Sequence, residues 1–259
     1  MGQVISISNQ KGGVGKTTTA VNLSASLAST DKTCLLIDCD PQGNATTGLG
    51  VDKSGLENGF YEFMFGSEPE ENVVTETDLP GLFLMGATND LIGAEVEMVI
   101  FDDREYLLKK RLMPLKEKYD YIFLDCPPSL GFLTLNAMTA ADSVLVPLQC
   151  EYYALEGLSE LLKILKAVKK GLNPSLNLAG ILLTMHDSRN NLSAQVEDEV
   201  RGHFQGVVFN TIIPRNVRLS EAPSYGTPIL LYDIKSIGAR SYLALAKELI
   251  SRGGNYGKT

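Results

Sequence analysis

The chain has 259 residues, of which 44% are hydrophobic and 21% charged, with no tryptophan and a net charge of −8. That is enough to bury a large α/β core; no run approaches the roughly 18 apolar residues of a membrane span, and the start, Met1-Gly2-Gln3-Val4-Ile5-Ser6, has no basic segment leading into an apolar one, so a cytoplasmic protein is expected. Four cysteines without a C-x-x-C pair, and only two histidines, weigh against a zinc centre or histidine-based catalysis and suggest reduced, buried thiols.

In chain order, residues 4–8 form a first β-branched apolar run. It leads straight into Lys11-Gly12-Gly13-Val14-Gly15-Lys16-Thr17-Thr18, after which helical spacing holds over residues 18–28. A glycine-rich turn between strand and helix lets successive backbone N–H groups wrap phosphate oxygens, and the helix N-terminus adds its partial positive charge. In such a loop Lys16 reaches the β- and γ-phosphates of a nucleotide and the Thr17 hydroxyl ligates Mg²⁺. A dinucleotide fingerprint fails here, because Thr18 stands where its third glycine belongs.

The next strand, 33–37, ends in Asp38-Cys39-Asp40-Pro41-Gln42-Gly43, where Pro41 and Gly43 point to an irregular loop. Residues 51–78 hold eight acids against Lys53 alone, a charge of −7 that leaves only −1 for the rest of the chain. That segment reads as a solvated face, and a basic face elsewhere stays possible. A strand at 82–85 and a helix over 102–118 precede the apolar strand 121–124, which ends in Asp125-Cys126-Pro127-Pro128. Ligands of open α/β sheets bind beyond the carboxyl ends of the strands, so Asp38, Asp40 and Asp125 should face the glycine loop. Asp125 would hold Mg²⁺ through water, since that ion favours one or two carboxylates with phosphates and retained waters.

Strands at 143–147, 178–184 and 211–213 alternate with helices at 155–170, 193–204 and 239–251, and residues from about 251 to 259 read as a flexible tail. The alternation implies an α/β fold, a doubly wound, mostly parallel sheet with helices on both faces, as one P-loop nucleoside triphosphatase domain over 1–259.

The loop departs from G-x-x-x-x-G-K-[ST] at Gln10, which replaces the first glycine, and at Lys11, which adds a second lysine. In this it resembles the deviant Walker A motif of the ParA/MinD family of dimerising ATPases. Asn9-Gln10 and the stretch Ile212-Ile213-Pro214-Arg215-Asn216-Val217-Arg218-Leu219-Ser220-Glu221-Ala222-Pro223-Ser224-Tyr225-Gly226 resemble the ParA (Soj-type) partition branch. The resemblance runs from residue 1 to about 250. It implies that Lys11 crosses a dimer interface to the partner's nucleotide, so that two ATP molecules are sandwiched between subunits, with Gly12 allowing close approach. It implies further that Asp40 orients the attacking water, that Asp38 supports the Mg²⁺ shell and that Pro214 and Asn216 contact adenine. No Asn-Lys-x-Asp guanine motif follows a strand, which favours ATP over GTP.

The branch binds double-stranded DNA without sequence preference as an ATP-bound homodimer, works with a ParB-like stimulating protein and is nucleoid-associated. Candidate phosphate-contacting cations are Arg189, Arg215, Arg218, Lys235 and Arg240. The match weakens at 233–239, where Ile234 and Ile237 replace a proline and an arginine of the family pattern and one expected cation is missing. A MinD-like membrane cycle would need a basic amphipathic C-terminal helix, and this chain ends in a glycine-rich stretch with two cations, so no membrane partner is expected. An iron–sulfur role of the nitrogenase-iron-protein kind would need cysteines away from the nucleotide, whereas Cys39 and Cys126 directly follow the acids.

Overall fold

The structure, a computed structural model, describes residues 1–66, 68–151 and 153–253. Seven strands form one sheet: β1 (Gln3–Ile7), β2 (Cys34–Asp38), β3 (Thr75–Glu76), β4 (Leu82–Met85), β5 (Tyr121–Asp125), β6 (Ser143–Gln149) and β7 (Asn177–Thr184). Their order is β3-β4-β2-β5-β1-β6-β7, and every pairing is parallel except β3 with β4. All of β2 is buried, as expected for a strand covered on both faces.

Alternation along the strands sorts the core into two layers. Ile5, Ile7 and Leu36 pack under the helices Lys16–Ala28 and Ile237–Arg252, while Val4, Leu35 and Ile37 pack under Phe132–Ala140 and Ala154–Gly171. This is the expected doubly wound arrangement. β1 lies between β5 and β6, so the chain reverses its direction across the sheet beside the strand that carries the glycine loop. A crevice at that switch point is where such sheets take ligands.

Four local expectations need correction. Residues 211–213 form no strand of the sheet. The amides of Asn210 and Thr211 donate instead to the Glu248 carboxylate at 2.8 Å each, and what ties this stretch to β7 is the Ile213 amide on Leu183 O at 2.9 Å beside isolated bridges, Ile181 to Val208 and His186 to Pro214. The helix expected over 102–118 is broken into Arg104–Tyr106, Leu107–Leu112 and Leu115–Lys118, because Pro114 lacks the N–H that a continuous helix requires. The tail begins later than expected: Ser251 and Arg252 complete the last helix, and Arg252 donates to Glu248 at 2.7 Å and lies 4.1 Å from the Phe209 ring centre. Residues 254–259 of that expected tail lie outside the described residues.

The acidic stretch is also more than a solvated face. Glu62 accepts the Gly59 amide at 2.7 Å to close the N-terminus of the helix Phe60–Phe65, and Glu70 takes the Tyr119 hydroxyl at 2.7 Å together with the Lys118 ammonium.

Candidate nucleotide site

The glycine loop spans the gap between β1 and the helix Lys16–Ala28. Gly13 and Gly15 hold φ of 74° and 86°, the left-handed region in which glycine carries no penalty. A Cβ built on Gly12 or Gly13 would meet nothing within 4 Å, so the loop leaves open space on its outer side. Its shape is fixed from behind: Thr184 Oγ1 donates to the Val14 carbonyl at 2.9 Å, and Asn9 Nδ2 donates to Pro147 O at 2.7 Å while its Oδ1 accepts the Lys11 amide at 3.1 Å. The helix that follows has no side-chain cap and no acid in its first turn. Its leading amides are left to an external anion.

Lys16 is buried, and its ammonium folds back to donate to Lys11 O at 3.2 Å. Burial pulls its pKa down, and Asp125, Cys126 and Asp40 oppose that shift. The ammonium is thus poorly hydrated and close to several acids, which suits it to a phosphate.

Strand register brings the acids together from distant parts of the sequence. Asp38 pairs with Asp125 across β2 and β5, and Asp125 pairs with Ile7 at the end of β1. Asp125 is fully buried, and neither carboxylate oxygen accepts a well-formed hydrogen bond among the described residues, although the Thr17 hydroxyl lies close enough to favour its charged form. Burial, then the Asp38 charge, push its pKa well above the ordinary carboxylate value, with Thr17 and Lys16 working the other way. An unpartnered buried carboxylate is costly and needs a cation or proton to justify it.

Asp38 differs. Its Oδ2 accepts the Thr46 amide at 2.8 Å and the Thr46 hydroxyl at 2.7 Å, and its Oδ1 accepts the Asp40 amide at 3.2 Å. Burial still lifts it to about 6. Its carboxylate therefore pins the loop that presents Asp40, which takes the Gln42 amide at 2.9 Å and lies 7% exposed in the cleft wall. Thr46 holds this assembly from a position that no sequence motif singled out; equally unsignalled is Asn22 in the cleft wall, whose Oδ1 accepts the Ile229 amide at 2.7 Å.

The cleft of about 490 Å³ is lined by Gly12, Lys16, Thr17, Asp40 and Pro128 among others. A second cavity of about 450 Å³ adjoins it, with Gly15, Thr18, Met185 and Pro223 lining both. Pro214 and Asn216 lie in its wall, so the residues expected at a base stand next to those expected at phosphates. Asn216 also caps the helix Val217–Glu221, its Oδ1 accepting the Leu219 amide at 3.3 Å.

A magnesium ion fits this donor set. Among the described residues no three His, Cys, Asp or Glu side chains cluster as a protein-only metal site. One free carboxylate beside Thr17, completed by phosphate oxygens and water, is the sparse hard-oxygen arrangement that Mg²⁺ prefers. The four cysteines are all free and buried.

The remaining expected residues lie outside the cleft. Lys11 is half-exposed and pairs with Glu151, which also accepts from Gln149. Arg218 pairs with Glu221 at 2.9 Å and Asp233 at 3.5 Å, and Arg240 donates to Lys235 O at 2.9 Å, so Arg218, Lys235 and Arg240 share one face where the last helix begins. Arg189 sits on the loop after β7, paired with Asp187 at 3.0 Å; Arg215, whose amide donates to His186 O at 3.0 Å, links it to that face.

The comparisons agree with this geometry. The model of the AAA domain family matches residues 2–178. The chain is 59% identical over 252 residues to the chromosome partitioning protein ParA of Myxococcus xanthus, covering 97% of this chain and 89% of that protein. It is 54% identical over 253 residues to the sporulation initiation inhibitor protein Soj of Bacillus subtilis, covering 98% of this chain and 100% of that protein. Cobyrinic acid a,c-diamide synthase of Mycobacterium smegmatis, solved with ADP and magnesium, superposes with a TM-score of 0.85 at 38% identity over 97% of this chain and 95% of that chain. The same protein with an ATP analogue and magnesium gives 0.85 at 37% identity, over 97% of this chain and 96% of that chain. Full-length likeness at that level of identity, on a sheet whose carboxyl edge gathers the glycine loop and its acids, shows that the chain belongs to the ParA/Soj family of chromosome-partitioning proteins.

Proposed function

We propose that this chain is a Mg²⁺-dependent ATPase that dimerises on ATP, binds DNA without sequence preference in that state and positions chromosome or plasmid DNA, or other cargo, with a ParB-like partner. The observation that carries the nucleotide part is the buried, unpartnered Asp125 carboxylate beside Thr17 and Lys16 at the glycine loop. Backbone amides from Lys11 to Thr18 wrap the phosphates, Lys16 neutralises the terminal two, and Thr17 and Asp125 hold the ion. Bound magnesium supplies charge neutralisation at the phosphate oxygens. Asp40 orients the attacking water, and Asp38 acts by holding the Asp40 loop against Thr46 and by adding negative charge near the ion. Pro214 and Asn216 form the adenine wall.

Lys11 gives up Glu151 to reach a partner subunit's nucleotide. An exposed pair of this kind contributes at most about 1 kcal/mol, so the exchange is easily driven by contacts to a triphosphate. Hydrolysis removes the γ-phosphate that both subunits grip, and the dimer separates. Arg189, Arg218, Lys235 and Arg240 contact DNA phosphates. The protein works in the cytoplasm at the nucleoid. Its last helix supports this over a membrane cycle, because Tyr242, Leu245, Ala246 and Leu249 are spent in the core and are not available to lipid.

DNA retardation with ADP, ATP and a slowly hydrolysed ATP analogue, at two salt concentrations, tests the proposal. Retention only with ATP or the analogue, weakening steeply with salt, is expected. Equal retention with ADP, or none in any state, would sink the DNA part.

A further inference from the structure

Residues 89–100 fold as consecutive short turns, Asn89–Ile92, Ala94–Glu97 and Met98–Ile100. Leu91, Ala94 and Met98 face inward and are fully buried. The outer side is apolar too: Ile92 is 69% exposed, Val96 77%, Val99 57% and Ile100 82%. Asp90, Glu95 and Glu97 punctuate this outer side, but its four large apolar side chains are left uncovered by the chain's own fold. Large apolar side chains exposed side by side mark an interaction surface.

Charge narrows the occupant. Asp90, Glu95, Glu97 and Asp102 flank the strip, and none has a cationic partner among the described residues; the nearby Arg104 and Lys110 are taken by Glu105 and Asp103. Glu97 instead accepts the Tyr61 hydroxyl at 2.6 Å, and Glu95 accepts the Leu133 amide at 3.4 Å. Phosphates of DNA or lipid are repelled by such a rim, and a cationic edge is attracted.

We propose that this strip docks a helical segment of a partner protein, apolar on one side and basic along its edges. The geometry also couples it to the nucleotide site. Glu95 holds the first turn of the helix Phe132–Ala140, and a Cβ on Gly131 would lie 1.8 Å from its carboxylate, so the strip abuts the segment that leads back through Pro128 to Asp125. Asn136 tightens the join by donating to Arg104 O at 2.6 Å and accepting the Leu108 amide at 3.2 Å. A partner seated on the strip fixes the position of residues 127–131 and thereby the rate of ATP hydrolysis. That coupling rests on the proposed ATPase reading, whereas the docking does not.

The test compares the full chain with its Val96→Asp/Ile100→Asp variant, both changes falling on exposed positions. The probe is a fluorescent synthetic helix of leucine, lysine and arginine with leucines on one side; a scrambled peptide of equal charge and a glutamate-for-lysine peptide serve as controls. Anisotropy should show the amphipathic basic peptide binding the unaltered chain at least about tenfold more tightly than the variant, with both controls weak. Turnover without peptide should agree within about twofold between the two chains, and the peptide should change it only in the unaltered one. Equal binding to both chains overturns the proposal. So does loss of ATP-dependent dimerisation in the variant, which would make the strip a subunit interface, or vesicle binding that the variant abolishes. If neither chain hydrolyses ATP, the ATPase reading fails while the binding comparison still decides the docking.

Discussion

Asp125 costs the ligand-free fold and becomes useful only beside a cation. Its folded pKa is raised by burial and by Asp38, so above the ordinary value of 3.8 the folded chain keeps a proton that the unfolded chain has lost. Stability therefore falls as pH rises through that interval. Asp38, raised to about 6, adds a slope of the same sign. Asp125→Asn should then stabilise the protein by about 1–3 kcal/mol at pH 8 without nucleotide or Mg²⁺, with a smaller gain at pH 5, while losing Mg²⁺-dependent nucleotide binding. Thermal unfolding at the two pH values checks this, and identical melting temperatures would mean that the carboxylate is partnered after all. Lys16→Ala should abolish nucleotide binding. Asp40→Ala should keep ATP bound and slow turnover by about 100-fold or more, read by fluorescent-nucleotide titration and phosphate release in parallel; normal turnover would remove Asp40 from its water-orienting role.

Two helices, one short and one long, bear on the site and on the proposed DNA face. The helix Asn44–Gly48 presents Thr46, whose hydroxyl donates to Asp38 and also accepts the Ala87 amide at 2.9 Å. Thr46→Val leaves the Ala87 amide without its acceptor and Asp38 with backbone amides alone, and should cost about 1–3 kcal/mol, with turnover falling and nucleotide affinity nearly kept. Denaturant titration and steady-state kinetics separate the two effects. The helix Ile237–Arg252 opens on Ile237, 56% exposed where the family pattern has a cation. Ile237→Arg should raise DNA affinity several-fold at low salt, an advantage that shrinks as salt rises, and Arg218→Glu should abolish retention while basal ATP turnover stays intact. Unchanged retention in either variant would move the DNA face elsewhere. The broken helix around Pro114 has a different lesson: apolar spacing over 102–118 continued across a residue that the backbone cannot continue through.

For the molecule as a whole, the question is how one chain's charge would serve the proposed two-chain reaction. Within this chain Lys11 rests on Glu151, and Arg189 and Arg218 rest on neighbouring acids. In the proposed cycle Lys11, Arg189 and Arg218 each exchange an internal partner for an external one, which would weaken binding by the free subunit before ATP arrives. Lys11→Ala should leave ATP bound to a monomer that neither dimerises nor turns over, as sedimentation with ATP and a turnover assay would reveal. Dimerisation of that variant would refute the crossing lysine.

The sequence by itself determined the chemistry of the loop, the strand–helix alternation and the acids that end the apolar strands. Each depends on neighbours within a few residues: a left-handed glycine, a β-branched run, a carboxylate at a strand terminus. Only the tertiary structure decided that Asp38 is saturated by Thr46 while Asp125 stands unpartnered, that Thr184 and Asn9 lock the loop, and that Lys11 meets Glu151, 140 residues away. It also decided that Asn210 and Thr211 give their amides to Glu248, so that residues 211–213 form no strand of the sheet. Hydrogen bonding and desolvation depend on which atoms the packed sheet brings within 3 Å, and no local pattern carries that information.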